Sequence, residues 1–160
     1  MAAPDELLRL RPWRRPDPSR LIGRGHPAGD FLEAYAWTVL EERDGFLRLD
    51  AHLPAHVKNP RGQLFGGFTP TYVDLVALFT VRAGRGPDAW AGGWLATTNM
   101  RVDYFAPVVG PRFVIESTLV TERGRLRFVE TRFLDPGGAL LAFALTTLRE
   151  VPLERALGDG

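Results

Sequence analysis

The sequence predicts an α+β domain in which one long helix is wrapped by a curved, mostly antiparallel sheet of about six strands. Two patterns lead to this prediction. The segment 68–81 is apolar on nearly every side, as expected for a helix enclosed by other structure. Shorter runs on both sides of it read as strands with one buried face. The predicted order of elements is β-β-α-β-β-β-β.

The strands are bounded by turn signals. The first two, at 34–43 and 46–53, are joined by Asp44-Gly45, a dipeptide typical of hairpins. A Gly- and Pro-rich connection at 82–93 follows the helix. Four further strands are then predicted, at 94–105, 112–122, 125–134 and 139–149.

The length of 160 residues fits one domain. We expect this domain at 31–152, after a Pro- and Arg-rich extension at 1–30 and before a tail at 153–160. The extension is either loosely packed chain, which we favour, or a contact for a partner or phosphate. A net charge of +1 gives no general attraction to nucleic acid. With no segment apolar enough for a membrane span and no secretory signal, the sequence predicts a cytoplasmic protein without a membrane partner.

Several kinds of catalysis are excluded by composition. The chain has no cysteine, and its two serines, Ser19 and Ser117, lack the Gly-x-Ser-x-Gly context of a hydrolase nucleophile. His52 and His56 have a spacing that suits a metal on a helix, but their surroundings alternate like a strand. We therefore expect no metal site.

The beginning of the helix suits a developing negative charge. Gly66 and Gly67 allow the backbone to turn closely into the helix, and Pro70 is tolerated because first-turn N–H groups lack partners inside the helix. Asp74 interrupts the apolar helix, and a carboxylate in such surroundings is costly unless it is paired. It either pairs with an arginine such as Arg101 or takes part in chemistry.

These residues together resemble a known signature. Asn59, Gly62, Gly66, Gly67 and Asp74 match in type and spacing the motif of the hotdog-fold acyl-CoA thioesterases of the PaaI and 4-hydroxybenzoyl-CoA thioesterase type. That motif usually reads Asn-x-x-Gly-x-x-His-Gly-Gly, with the acid on the central helix. Residues 98–110 also resemble the third strand of the family, and the resemblance spans roughly 35–149. One position departs from it, because Phe65 stands where the family has His.

The resemblance implies a hotdog fold and roles for the matched residues. The Gly66 N–H would stabilise the oxyanion, Asp74 would be nucleophile or general base, and Asn59 would hold water or the acyl carbonyl. Predicted substrate contacts are Phe65, Gly67, Phe68, Tyr72 and Thr98. Coenzyme A enters as part of the substrate, and no other cofactor is expected.

The predicted donors and the acid require two chains. Gly66 and Asp74 are about 12 Å apart along a helix, too far to act on one atom within one protomer. Hotdog relatives combine the two groups across a dimer, so we expect a homodimer with the site at its interface, or a dimer of such dimers.

The residues that would contact the acyl group and the nucleotide of the substrate are predicted only as groups of candidates. Five aromatic residues near the loop and helix are candidates for an aryl or medium-chain acyl slot, or else belong to core and dimer packing: Phe65, Phe68, Tyr72, Trp90 and Trp94. Arg123, Arg125 and Arg127 surround a hairpin and are candidates for the phosphates of coenzyme A, or else are solvated hairpin charge.

The expected function is therefore an acyl-CoA thioesterase. An alternative function is binding of acyl thioesters without cleavage. Phe65 supports this alternative, because a phenyl ring donates no hydrogen bond. A hotdog dehydratase or hydratase is disfavoured, because these enzymes use a histidine with an acid and no histidine follows Val57.

Overall fold

The computed structural model describes residues 15, 17–86, 89, 93–152 and 155. A short helix, α1 (Pro27–Phe31), precedes a hairpin of β1 (Thr38–Arg43) and β2 (Phe46–His52). The central helix α2 (Thr69–Thr80) follows, and then four strands: β3 (Trp94–Tyr104), β4 (Arg112–Arg123), β5 (Leu126–Leu134) and β6 (Leu140–Val151). The predicted order of the six strands and the long helix is confirmed.

All six strands form one antiparallel sheet in the order β1-β2-β4-β5-β6-β3. The predicted hairpin at Asp44-Gly45 joins the first two strands. β3 reaches the far edge of the sheet by a crossover after the helix and pairs only with β6 among the described strands. β1 and β3 are therefore the two edges.

The central helix packs across one face of the curved sheet and is enclosed by it. Nine of its twelve residues are buried, which confirms the prediction from its apolar composition. On β6 the small side chains of Ala142, Ala144 and Thr146 are buried, whereas Leu145 on the alternate face is exposed. Small residues on the buried face let helix and sheet approach closely.

Aromatic rings form the centre of the core. Trp37 stacks on Tyr72 of the helix at a centroid distance of 5.4 Å. Tyr72 in turn meets Phe113 and Phe133, one ring from each of two neighbouring strands, edge-on. These ring contacts hold the helix against the sheet, and they thereby also position the loop that leads into the helix.

The segment before β1 differs from the expectation. Residues Ala34–Ala36 form a 3₁₀ turn rather than the beginning of a strand. Leu21 and Ile22, inside the segment 1–30, are buried in the same core as the central helix. Their apolar side chains are hidden among prolines and arginines in the sequence, so no periodic pattern marks them. The domain limits themselves remain predictions.

Parts of the predicted extension and tail lie outside the described residues, as does Trp90. Within the described residues no helix is both long and apolar enough to cross a membrane.

Candidate active site

Asn59 organises the loop that leads into the central helix. Its Oδ1 accepts hydrogen bonds from the N–H groups of Arg61 at 2.9 Å and Gln63 at 3.1 Å. Gly62 closes the turn with φ +74°, a left-handed conformation that favours glycine. The Asn59 oxygen is thus used by the loop itself. Its amide nitrogen, which donates to Gln63 Oε1 at 3.4 Å, carries a second N–H that can serve a substrate.

Gly66 and Gly67 lie exposed in a 3₁₀ turn, Gly66–Phe68, that continues directly into α2. Among the described residues, neither glycine N–H donates a hydrogen bond to the protein. These groups sit at the positive end of the helix dipole, where an anion is stabilised. The Gly66 carbonyl is occupied, because it accepts from the Tyr104 hydroxyl at 2.8 Å and from the Thr69 N–H.

Phe65 lies against this turn. A Cβ on residue 67 would be 2.7 Å from Phe65 Cε1, so the ring occupies the space that only a glycine leaves free. The ring is also 51% exposed, so the loop presents a hydrocarbon face to solvent at this point. In place of the donor that the resembled motif has here, this chain has an apolar cover over Gly67.

Asp74 reaches out of the helix toward β3. Its Oδ1 accepts a hydrogen bond from the hydroxyl of Thr97, and this is its only hydrogen bond among the described residues. The alternative partner, Arg101, instead forms an ion pair with Asp103 at 2.8 Å. Asp74 is half-buried. The carboxylate is therefore oriented by a hydroxyl and has no ion-pair partner within the described residues.

The loop and the acid touch the same edge strand at different heights. Gly66 meets β3 at Tyr104, and Asp74 meets it at Thr97, seven residues earlier. Seven residues of extended strand span about 23 Å. The turn Gly66–Phe68 and the Asp74 carboxylate are therefore held at two separate places along β3.

A row of aromatic rings extends from the loop to α1. Phe65 packs edge-on against Phe68 at a centroid distance of 5.4 Å, Phe68 against Phe31 at 5.3 Å, and Phe31 against His56 at 5.0 Å. The His56 Nε2–H donates to the Phe31 carbonyl at 2.5 Å, which ties α1 to the loop. We call these four residues the aromatic row.

Other predicted substrate contacts have different surroundings. Tyr72 is fully buried in the core, with its hydroxyl donating to the His52 carbonyl at 3.0 Å, which matches the core-packing alternative. Trp94 is half-buried at the beginning of β3. Thr98 is exposed at an irregularity in the pairing of β3 with β6 and donates to the Thr147 carbonyl at 3.1 Å. Such bulges re-aim the side chains beside them, here next to Thr97.

The arginines of the β4–β5 hairpin differ in their availability. Arg123 and Arg125 are exposed. Arg127 is tied to the protein, with ion pairs to Glu122 at 2.9 Å and Glu150 at 2.6 Å. The exposed pair is therefore available to a phosphate, whereas the third is used by the fold.

A cavity of about 180 Å³ lies at the C-terminal end of α2, beside this hairpin. Arg82 is half-buried there and donates to the carbonyls of Gly93 at 3.0 Å and Ala89 at 3.2 Å. Burial lowers the pKa of Arg82 to about 10, which the charge of Glu150 partly opposes. These contacts tie Ala89 and Gly93 to the end of the helix.

The two histidines considered as metal ligands have protein partners. His52 Nε2 lies 2.8 Å from Glu33 Oε2, and His56 is engaged by Phe31. No group of three or more potential ligands is found within the described residues.

Four residues of this site are missing from the sequence prediction: Thr97, Tyr104, Phe31 and His56. Each contacts the site across a large separation along the chain, so no local spacing reveals it. For Tyr104 a signal exists, because it lies within residues 98–110, which resemble the third strand of the motif family, whereas Thr97 lies one residue before them.

Solved structures share this arrangement of sheet and helix. A thioesterase from Haemophilus influenzae matches with a TM-score of 0.66 and 12% identity, covering 79% of this chain and 83% of its own. The E. coli PaaI protein from the phenylacetic acid degradation operon matches with a TM-score of 0.65 and 9% identity, covering 79% and 86%. This chain has the hotdog fold.

A hypothetical thioesterase from Streptococcus pneumoniae, solved with coenzyme A, has the same hotdog fold, with a TM-score of 0.60 and 14% identity over 73% of this chain and 87% of its own. No protein-family model matches the sequence, and no curated protein matches it. The sheet and helix described above and these neighbours confirm the predicted fold class.

Proposed function

We propose that this hotdog protein is a cytoplasmic acyl-CoA thioesterase that works as a homodimer with two composite sites, alone or as a dimer of dimers. The observation that carries the proposal is the placement of the two halves of the site on one edge strand. The turn Gly66–Phe68, which we call the glycine turn, contacts β3 at Tyr104, and the carboxylate of Asp74 contacts β3 at Thr97. The hotdog neighbours named as thioesterases support the same function.

The two edge strands, β1 and β3, differ in how well each could pair with a strand of a second chain. β1 is six residues long, ends in Glu41-Glu42-Arg43 and has a shifted register, all of which protect an edge. β3 is eleven residues long, and no described strand pairs with its outer side. An unpaired strand of this length is a template for a second strand. We therefore assign the dimer contact to β3.

Antiparallel pairing of two copies of β3 would complete the site. With a twofold axis at Met100 or Arg101, Thr97 of one protomer lies beside Tyr104 of its partner, one position away from directly opposite. The same rotation brings Asp74 of one protomer toward Gly66 of the other. Two groups that are held apart within one chain thereby come close to each other between chains.

The chemistry follows from the groups brought together. Asp74 takes a proton from water, whose oxygen adds to the acyl carbon, while the N–H of Gly66 from the other protomer stabilises the oxyanion. The C–S bond then breaks, and the departing sulfur of coenzyme A takes the proton back from Asp74. The products are the free acid and the thiol. In the nucleophilic variant, the Asp74 carboxylate adds to the acyl carbon, the C–S bond breaks, and coenzyme A leaves as the thiolate. Water then hydrolyses the mixed anhydride to the free acid and the Asp74 carboxylate, and the proton that water releases goes to the thiolate.

The substrate class is suggested by the aromatic row and the hairpin. Phe65 is half-exposed beside the oxyanion donors, and Phe68 and Phe31 extend the apolar surface from it. Such a surface favours an aryl or medium-chain acyl group. The exposed Arg123 and Arg125 are our candidates for the phosphates of coenzyme A, a molecule present in the Streptococcus pneumoniae neighbour.

A second candidate is a protein that binds acyl thioesters without cleaving them. Phe65 favours it, since the side chain at this position supplies neither a hydrogen bond nor a proton. The open N–H groups and the oriented carboxylate favour hydrolysis over this alternative.

The two candidates are separated by measuring thiol release from aryl-, short- and medium-chain acyl-CoAs. We expect turnover by the wild-type protein and its loss in Asp74→Asn. The matched control is Asp44→Asn, the same change in the β1–β2 turn, which we expect to leave turnover unchanged. Binding of acyl-CoA without turnover by the wild type would establish the second candidate.

A further inference from the structure

Tyr104 makes a contact that joins the end of β3 to the glycine turn. Its hydroxyl donates to the Gly66 carbonyl at 2.8 Å, across 38 residues of sequence. Its ring is also close, with Cε1 3.7 Å from the point that a Cβ on residue 66 would occupy. The side chain is 54% exposed, so burial of the ring is not what holds it there.

This hydrogen bond acts on a peptide that has few other constraints. A Gly-Gly pair has the widest choice of backbone angles of any dipeptide. The Gly66–Gly67 peptide is trans, so the Gly67 N–H points opposite to the Gly66 carbonyl. That carbonyl accepts two hydrogen bonds, from Tyr104 and from the Thr69 N–H. Together they fix the peptide plane and hence the direction of the Gly67 N–H.

Phe65 and Tyr104 hold the turn from two sides. The ring of Phe65 covers Gly67, and the ring of Tyr104 lies beside Gly66. Of these two side chains, only that of Tyr104 supplies a hydrogen bond. The polar function near the turn therefore comes from the end of β3 and not from the residue that precedes the two glycines.

We propose that Tyr104 is a positioning residue that aims the Gly67 N–H at the oxyanion as a second donor beside the Gly66 N–H. The inference rests on the proposed thioesterase function. Tyr104 acts through the peptide, because its hydroxyl is directed at the Gly66 carbonyl. Preorganised donors stabilise a transition state more than a bound substrate, so the loss of Tyr104 should lower kcat and leave KM nearly unchanged.

The test compares Tyr104→Phe with Tyr35→Phe in the full chain. Tyr104→Phe keeps the ring and removes the hydroxyl. Tyr35→Phe makes the same change in a half-buried ring near α1, which lies under the Arg24 guanidinium at 3.8 Å. We expect kcat for the best acyl-CoA to fall about tenfold in Tyr104→Phe, with KM within about twofold, and neither value to change in Tyr35→Phe.

A second measurement reports the position of the turn without turnover. Backbone ¹⁵N relaxation gives order parameters for Gly66 and Gly67, which we expect to fall in Tyr104→Phe and to stay unchanged in Tyr35→Phe. An unchanged kcat in an active Tyr104→Phe protein, or unchanged order parameters, would overturn the inference alone. A wild-type protein that hydrolyses no acyl-CoA would overturn the proposed function, and the catalytic role of Tyr104 with it.

Discussion

The ring of Phe65 lies so close to Gly67 that Cε1 is 2.7 Å from the place of a Cβ on residue 67. A methyl group there would have to displace the ring. Because the ring is 51% exposed, it can rotate into solvent rather than distort the backbone. The two residues therefore depend on each other, and the dependence can be measured.

We predict that Gly67→Ala lowers the free energy of unfolding by about 1 kcal/mol, and that Phe65→Ala removes most of this cost. The reason is that the added methyl group no longer meets a ring. Urea unfolding of the wild type, both single variants and the double variant, at one protein concentration, gives the coupling energy. We expect about 0.5 kcal/mol or more in favour of the double variant.

Gly62→Ala is the control for this cycle. Gly62 has φ +74°, and no atom lies within 4 Å of the point that a Cβ would occupy, so an alanine there costs backbone strain and makes no clash. Its effect should add to that of Phe65→Ala without coupling. Additivity at Gly67 as well would show that the ring does not constrain the turn.

Phe65→His introduces a hydrogen-bond donor where the resembled motif has one. We predict that it raises kcat by several-fold, because the imidazole can orient the thioester carbonyl or water and the phenyl ring cannot. Steady-state thiol release measures the change. Phe105→His is the same substitution at a phenylalanine that is 62% exposed and outside the turn, and it should have no effect. A loss of activity in Phe65→His would mean that the site depends on the ring.

The fold was predictable because its signals are local. The apolar helix at 68–81 and the alternating strands carry their burial pattern in consecutive residues, and Asp44-Gly45 marks its own hairpin. The order of strands in the sheet and the burial of Leu21 and Ile22 depend on contacts between distant segments. No periodic pattern in one segment encodes such contacts.

In the candidate site, too, some residues are predictable from local sequence spacing and others are brought in only by the tertiary fold. Asn59, the glycines and Asp74 stand at recognisable spacings on one continuous loop and helix. Their partners come from β3: Thr97 contacts the acid and Tyr104 contacts the turn. These contacts depend on the position of β3 at the edge of the sheet, which the sequence does not reveal. Sequence spacing predicts the reactive groups, and the tertiary fold adds the residues that position them.

Thr97→Val tests the orientation of the acid. Valine keeps the β-branched shape that suits a strand and removes the hydroxyl that donates to Asp74. We predict a fall in kcat of about tenfold, because the carboxylate loses the contact that holds its rotamer. Thr118→Val, an exposed position on β4, makes the same change away from the site and should leave kcat unchanged. Equal effects of the two substitutions would show that the hydrogen bond has no catalytic role.

Cysteine cross-linking tests the dimer contact, and the absence of native cysteine makes it specific. We predict that Arg101→Cys forms a disulfide-linked dimer under mild oxidation, because its position is close to the proposed twofold axis on β3. Non-reducing electrophoresis measures the product. Leu40→Cys, 52% exposed on the other edge strand β1, should remain monomeric on the gel. Cross-linking through Leu40→Cys alone would show that the dimer forms through β1 and not through β3.

The stability of the segment before β1 should depend on pH through His26. This residue is 8% exposed and caps α1, with Nδ1 accepting the Gly29 N–H at 3.1 Å. Burial lowers the pKa of His26 below its usual 6.5, which the charge of Asp30 partly opposes. The unfolded chain therefore binds the proton more readily, and the free energy of unfolding falls as the pH decreases below about 6.5.

His26→Asn isolates this contribution, because asparagine is also a good N-cap but does not titrate in this range. We predict that the wild type loses more stability than the variant between about pH 7.5 and pH 5, and that the two differ little in their pH dependence above about pH 7. Urea unfolding at both pH values and at one protein concentration measures the difference. Parallel losses in the two proteins would mean that protonation of His26 does not oppose folding, and that acid acts on the chain through other groups.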